Sequence, residues 1–282
     1  MMINPVLRRE LKTKLRSWKA PVLLMVYLII LTGFGGLVLL LTLYTSYDNS
    51  FNPQDTLTVY GLLAGCQMGL IILLVPALTA GTISGERERQ TLDLLKVTKI
   101  SSFSIIMGKL LASISQIMLM VLASIPVFSI IFIFGGVSLK NIALLFLYYI
   151  VISITLGSVG IFCSTYFRKT TVATVVTYLF ILIFCFGSLI VYAIVQEFVY
   201  YIFSYSDGLT YFQSVLLIGG NPFLGFLSVI ENQLGTTDTL YYFLNAHNNP
   251  LNINIKLWQF NLVFNCLVSV LMIFLSVLKI RR

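Results

Sequence analysis

The sequence predicts an all-α polytopic membrane protein: six transmembrane helices, an amphipathic interfacial helix ahead of them, and a short cytoplasmic helix between spans 2 and 3. Three observations carry that prediction. First, 58% of the 282 residues are hydrophobic and 10% are charged, whereas a soluble domain carries about a quarter charged. Second, there are six charge-free runs: Ala20 to Tyr47, Thr56 to Gly85, Leu110 to Leu139, Asn141 to Phe167, Thr170 to Gln196 and Leu257 to Leu278. Each exceeds the roughly 20 residues a helix needs to cross a bilayer. Third, the cations crowd one side. With six spans and both ends on one side, Arg8, Arg9, Lys12, Lys14, Arg16, Lys19, Arg87, Arg89, Lys96, Lys99, Lys109, Arg168, Lys169, Lys279, Arg281 and Arg282 fall together, against Lys140 and Lys256 opposite. The positive-inside rule then puts both termini in the cytoplasm of a multi-pass cell-membrane protein.

Taken in order, the first element is residues 1–19. After Asn4 and Pro5, a helix-start pair, Leu7, Leu11, Leu15 and Trp18 recur at helical spacing. Arg8, Arg9, Lys12, Lys14, Arg16 and Lys19 fill the other faces. Such a helix lies on a membrane surface, held by its apolar stripe and by anionic lipid; an ordinary positive-inside flank is the alternative. The apolar run that follows is too long for a signal-peptide core and has no cleavage site, so it is expected to stay as span 1.

The spans are expected at about 20–44, 57–83, 110–134, 142–167, 171–195 and 257–279, in a single transmembrane domain over 1–282. Two connections are long: 84–109 on the inner side and 196–256 on the outer. In the outer one, Gly219, Gly220 and Pro222 interrupt the charge-free run 208–230, predicting two short helices joined by a turn that dips into the membrane or lies on it.

The spans and loops lack the parts of several chemistries. No ionisable group is expected inside a span, which disfavours a secondary transporter. Gln67 and Gln116 are expected to form interhelical hydrogen bonds, and Gly33, Gly35 and Gly36 to allow close helix approach. His247 is the only histidine. It has no partner for a metal site or a nucleophile–base pair, so no catalytic residue, metal or bound cofactor is expected. Cys66, Cys163, Cys185 and Cys266 read as packing residues. The net charge of +8 reports topology, and nucleic acid is not an expected partner.

One segment stands apart. Between Gly81 and Ile100, in "GTISGERERQTLDLLKVTKI", seven residues are charged. Topology needs only positive charge, and anionic lipid would repel Glu86, Glu88 and Asp93. A short amphipathic helix of mixed sign offers salt bridges and apolar knobs to a protein partner; a plain solvated loop is the alternative.

The run "SGERERQTLDLLKVTKISSFSIIMGKLLA" resembles the inner loop of ABC-2 type ATP-binding cassette transporter permease subunits. Glu86, Arg87 and Glu88 match the family's "ERE", Thr91 to Leu95 its "GTLELL", and Gly108 with Lys109 the "GK" that opens span 3. The opening "NPVLRRELKTKLR" and "NPF" at Asn221 to Phe223 are similar to further family features. Gln90 departs from a usual Gly, and Lys99 from a frequent Pro.

The resemblance implies that 84–109 is a coupling segment touching a separate ATP-binding cassette subunit through Glu86, Arg87, Glu88, Arg89, Asp93, Leu94 and Leu95. It also implies a second permease chain, identical or paralogous, with ATP and Mg2+ bound only in the partner subunit. The expected function is then the permease of an exporter of an amphipathic or hydrophobic substrate such as a peptide, lipid or drug. The alternative is a membrane scaffold that recruits a soluble partner through the same loop.

Overall fold

The computed structural model describes residues 5–45, 53–92, 101–133, 137–203, 209–235, 240, 243–244 and 256–281. Among these the chain is 89% helical and has no strands. Six stretches are long and apolar enough to cross a membrane: Lys19–Thr42, Thr56–Glu88, Ser102–Ser129, Leu139–Tyr166, Thr170–Ile202 and Leu257–Arg281. The chain forms two compact units, residues 1–177 with 269–282, and residues 178–268.

The first unit opens with α1 (Pro5–Leu15), which begins at the predicted proline, followed by α2 (Lys19–Thr45) and α3 (Pro53–Thr79). A turn leads into the single-turn helix α4 (Ser84–Glu88), and then come α5 (Ser102–Ala123), α6 (Ile125–Ile133) and α7 (Leu139–Tyr166). Helices α3, α5 and α7 pack mutually, α2 lies against α3 and α5, and α1 lies along α5.

Small and polar residues hold these contacts, as membrane helices require, because apolar surface gains nothing by leaving lipid for protein. A Cβ on Gly160 of α7 would collide with Thr79 of α3. The Tyr149 hydroxyl donates to the Ala64 carbonyl across the same interface, at 2.7 Å. Gln67 Nε2 donates to Ser124 Oγ at 3.1 Å, the interhelical bond expected of it. Of the three glycines in "LTGFGG", Gly35 meets a neighbour, Leu63, closely enough to exclude a side chain, and Gly33 and Gly36 face open space.

Span 3 differs from its predicted limits of 110–134. It starts at Ser102, where the Ser101 hydroxyl accepts from the Ser104 amide at 3.2 Å, a helix N-cap. The charge-free run placed the boundary after Lys109. Helix α5 instead takes Lys109 into its interior, because two carboxylates neutralise it there.

The second unit holds the end of α8 (Thr170–Leu182), a π-helical turn over Ile183–Gly187, α9 (Ser188–Phe203), α10 (Tyr211–Ile218), α11 (Pro222–Leu234) and the first part of α12 (Leu257–Arg281). The predicted pair of short helices is α10 and α11, with the turn at 219–221 between them. The turn is buried, and its carbonyls find donors on α12. Asn261 Nδ2 donates to the Gly219 and Asn221 carbonyls at 2.7 and 2.8 Å, and Asn265 Nδ2 to the Gly220 carbonyl at 3.3 Å. Asn221 caps α11 by accepting from the Phe223 amide at 2.9 Å. Its own Nδ2 donates to the Cys185 carbonyl in the π turn at 2.6 Å. Side chains on Gly219 or Gly220 would meet the rings of Phe260 and Phe264.

Candidate functional site

The charged segment that stood out in the sequence is riveted into the first unit by its own charges. Lys109 is 2% exposed. Its Nζ lies 3.0 Å from Glu10 Oε1 of α1 and 2.8 Å from Glu86 Oε1 of α4, and it donates to the Thr82 carbonyl at 3.3 Å. One ammonium with three donors therefore joins three pieces of chain. A buried lysine is tolerable only when so paired, since desolvating it alone costs several kcal/mol (~5 or more). Beside it, Gly108 lets α1 approach: an added Cβ would lie 3.1 Å from Val6 and 3.2 Å from the Leu7 backbone nitrogen.

The other two charges of "ERE" tie α4 to the ends of the neighbouring spans. The Arg87 guanidinium donates to the Thr165 carbonyl at 3.1 Å and to the Phe167 carbonyl at 3.4 Å, at the C-terminus of α7, where a cation also complements the helix dipole. Glu88 accepts from the Thr170 amide at 2.8 Å and from its hydroxyl at 3.0 Å, capping the N-terminus of α8 from a distant point in sequence. Underneath, Ser164 Oγ accepts from the Ile83 and Ser84 amides, both at 2.9 Å, so the turn into α4 is also bonded to α7.

α4 ends in a Schellman motif. The Thr91 amide donates to the Glu86 carbonyl at 2.9 Å and the Gln90 amide to the Arg87 carbonyl at 3.1 Å. The motif needs a left-handed residue at its C′ position, and Gln90 takes φ 56° there. This is the position where the resembling family usually has Gly, so the departure is physically explained: the backbone shape is kept and a side chain is carried in a strained region. Leu92 then turns inward, 4% exposed, into a core of Ile83, Ile106, Leu110, Ile114, Ile161 and Ile280.

The predicted contact residues therefore separate. Glu86, Arg87 and Glu88 are brought together and bonded within the chain. Arg89 is exposed. Asp93, Leu94 and Leu95 lie outside the described residues. Lys109 had been matched to a motif without a role, and Glu10 had been passed over. The available signal was that Glu10 is the single acid in a stretch with six cations.

The predicted surface residues separate too. On α1, Val6 is buried and Leu7, Glu10 and Leu11 are half-buried toward α5, so the expected Leu7–Leu11 stripe faces protein. Arg8, Arg9, Lys12, Arg16 and Lys19 are exposed, as is Trp18, which sits beyond the end of α1 in the elbow before α2. Of Lys14 only the backbone is described.

Six apolar spans with a charged segment locked across the ends of four helices define a polytopic membrane protein with a rigid joint at one end. Residues 39–278 match the family described as ABC-2 family transporter protein. The chain belongs to that family, as a transporter membrane subunit, and the family implies an ATP-binding cassette partner in general. No curated protein matches the chain.

Proposed function

We propose that the chain is the permease subunit of an ABC-2 exporter, driven by ATP hydrolysis on a separate subunit, and that 84–109 is its coupling segment. The observation that carries this is the triple attachment of α4: to α5 through Lys109, to the end of α7 through Arg87 and to the start of α8 through Glu88. A push on a loose loop dissipates in the loop, whereas a push on α4 moves the ends of three spans together.

In this reading the end that carries α1, α4 and the C-terminus faces the cytoplasm, and α1 rests against the inner leaflet. Arg89, Asp93, Leu94 and Leu95 make the contacts with the partner, while Glu86, Arg87 and Glu88 transmit them. ATP and Mg2+ are bound by the partner, and a second permease chain, identical or paralogous, completes the pathway. The predominance of apolar side chains suits an amphipathic or hydrophobic cargo such as a peptide, lipid or drug.

The test is to express this chain with the ATP-binding subunit encoded beside it, purify through a tag on this chain, and assay ATP hydrolysis. Co-purified ATPase activity that Asp93→Lys lowers is the expected result. A chain that emerges with no ATPase overturns the reading and favours a membrane scaffold.

A further inference from the structure

A feature independent of the partner lies on the other face of α1. Arg9, Lys12, Thr13 and Arg16 recur at helical spacing and, with Ser17, line a cleft of about 370 Å³ at the elbow into α2. Glu10, the single acid of this stretch, is turned away to Lys109. Among the described residues Arg8, Arg9, Lys12 and Arg16 make no ion pair. The folding of α1 thus sorts its charges, with the carboxylate spent on the protein joint and the cations left gathered around one concavity.

What the cleft opens onto identifies its ligand. The Val22 amide donates to the Trp18 carbonyl, so Trp18 is in helical register with α2. Trp18, Val22, Met25 and Ile29 then form one continuous stripe, and they are 85%, 51%, 63% and 68% exposed. A cluster of unpaired cations and hydroxyls therefore continues into an indole, the side chain that favours the headgroup level, and then into bare aliphatic surface on a membrane span. Guanidinium groups favour phosphate oxygens, and the aliphatic stripe favours an acyl chain. A soluble anion would use the first part and leave the second idle.

We infer that the elbow between α1 and α2 is a binding site for an anionic phospholipid, its phosphate held by Arg9, Lys12 and Arg16 and one acyl chain lying along Val22, Met25 and Ile29. Because α1 is joined to α4 through Glu10 and Lys109, the lipid bears on the same joint that holds the charged segment. The inference needs this chain alone and stands or falls apart from the ATP-driven reading.

The test uses the full chain carrying Trp258→Phe, which leaves Trp18 as its only tryptophan, in vesicles of phosphatidylcholine with either brominated phosphatidylglycerol or brominated phosphatidylcholine at equal mole fraction. Enrichment at the site is expected to make the brominated anionic lipid about twofold the better quencher of Trp18. Arg9→Gln with Arg16→Gln should abolish the difference. Arg168→Gln with Lys169→Gln removes the same charge from exposed positions elsewhere and should preserve it. Equal quenching by the two lipids overturns the inference. So does a preference lost equally in both double variants, which marks general surface charge, or one abolished by inorganic phosphate, which marks a soluble anion.

Discussion

The turn at 219–221 and the segment at 80–92 both interrupt helices in an apolar protein, yet neutral amides hold the first and ionised groups the second. At the turn, Asn261, Asn265 and Asn221 supply donors to backbone carbonyls with no charge to desolvate. At the joint, Lys109, Arg87 and Glu88 bind carboxylates, carbonyls and an amide with full charges. The first solution is insensitive to salt and has one arrangement. The second is stronger per bond, but its carboxylates are 26% and 22% exposed, so water and ions compete for it. A fixed bend calls for the first, and a part that must take load or change partners calls for the second.

The largest effect is expected on the amide side. Asn261→Leu leaves the Gly219 and Asn221 carbonyls buried without a donor, at about 3 kcal/mol for the pair. Thermal unfolding of the detergent-purified chain should show a much lower midpoint than wild type, in low and high salt alike. Asn265→Leu should cost about 1 kcal/mol, since its bond to Gly220 is long at 3.3 Å and its Oδ1 is buried with no partner. If Asn261→Leu melts with wild type, the contrast collapses, because the turn then needs no amide.

On the charged side Lys109→Met is expected to cost about 2 kcal/mol, less than a fully buried pair because both carboxylates reach water. Its signature is salt: the deficit should shrink as ionic strength rises, since screening relieves Glu10 and Glu86 of their mutual repulsion. A deficit that ignores salt would make Lys109 a packing residue. Glu88→Ala removes a cap from α8 and should lower stability by about 1 kcal/mol, with Glu88→Gln recovering part of it through the retained carbonyl oxygen.

The two regions were unequally visible in the sequence. Apolar runs reveal spans because hydrophobic length is a local property, and Gly219, Gly220 and Pro222 reveal a break for the same reason. Which side chains repair the break is not local: Asn261 and Asn265 are some 40 residues further on, and in sequence they look like ordinary polar residues in a span. Charge signals misled in one respect. Reading Lys109 as the edge of a span assumed that a cation sits outside the helix, and its two anions come from about 20 and 100 residues away in a chain read without contacts. The charged motif was legible as something other than topology. That three of its charges close on the chain's own helices was not.

The smallest effect has the opposite sign and bears on how α4 ends. Gln90 holds φ 56° at the C′ position of the Schellman motif, where a side chain is strained and glycine is not. Gln90→Gly should therefore raise stability, the relieved strain of about 1 kcal/mol being partly offset by the extra freedom glycine has in the unfolded chain, for a net gain of about 0.5 kcal/mol. Because the gain comes from backbone geometry and no charge is touched, it should persist at high salt and in the Lys109→Met background, raising both midpoints equally. A gain that appears only when Lys109 is intact would mean that the left-handed turn and the ion pairs form one cooperative unit, and the joint would then be a single two-state element in place of a set of separate fastenings.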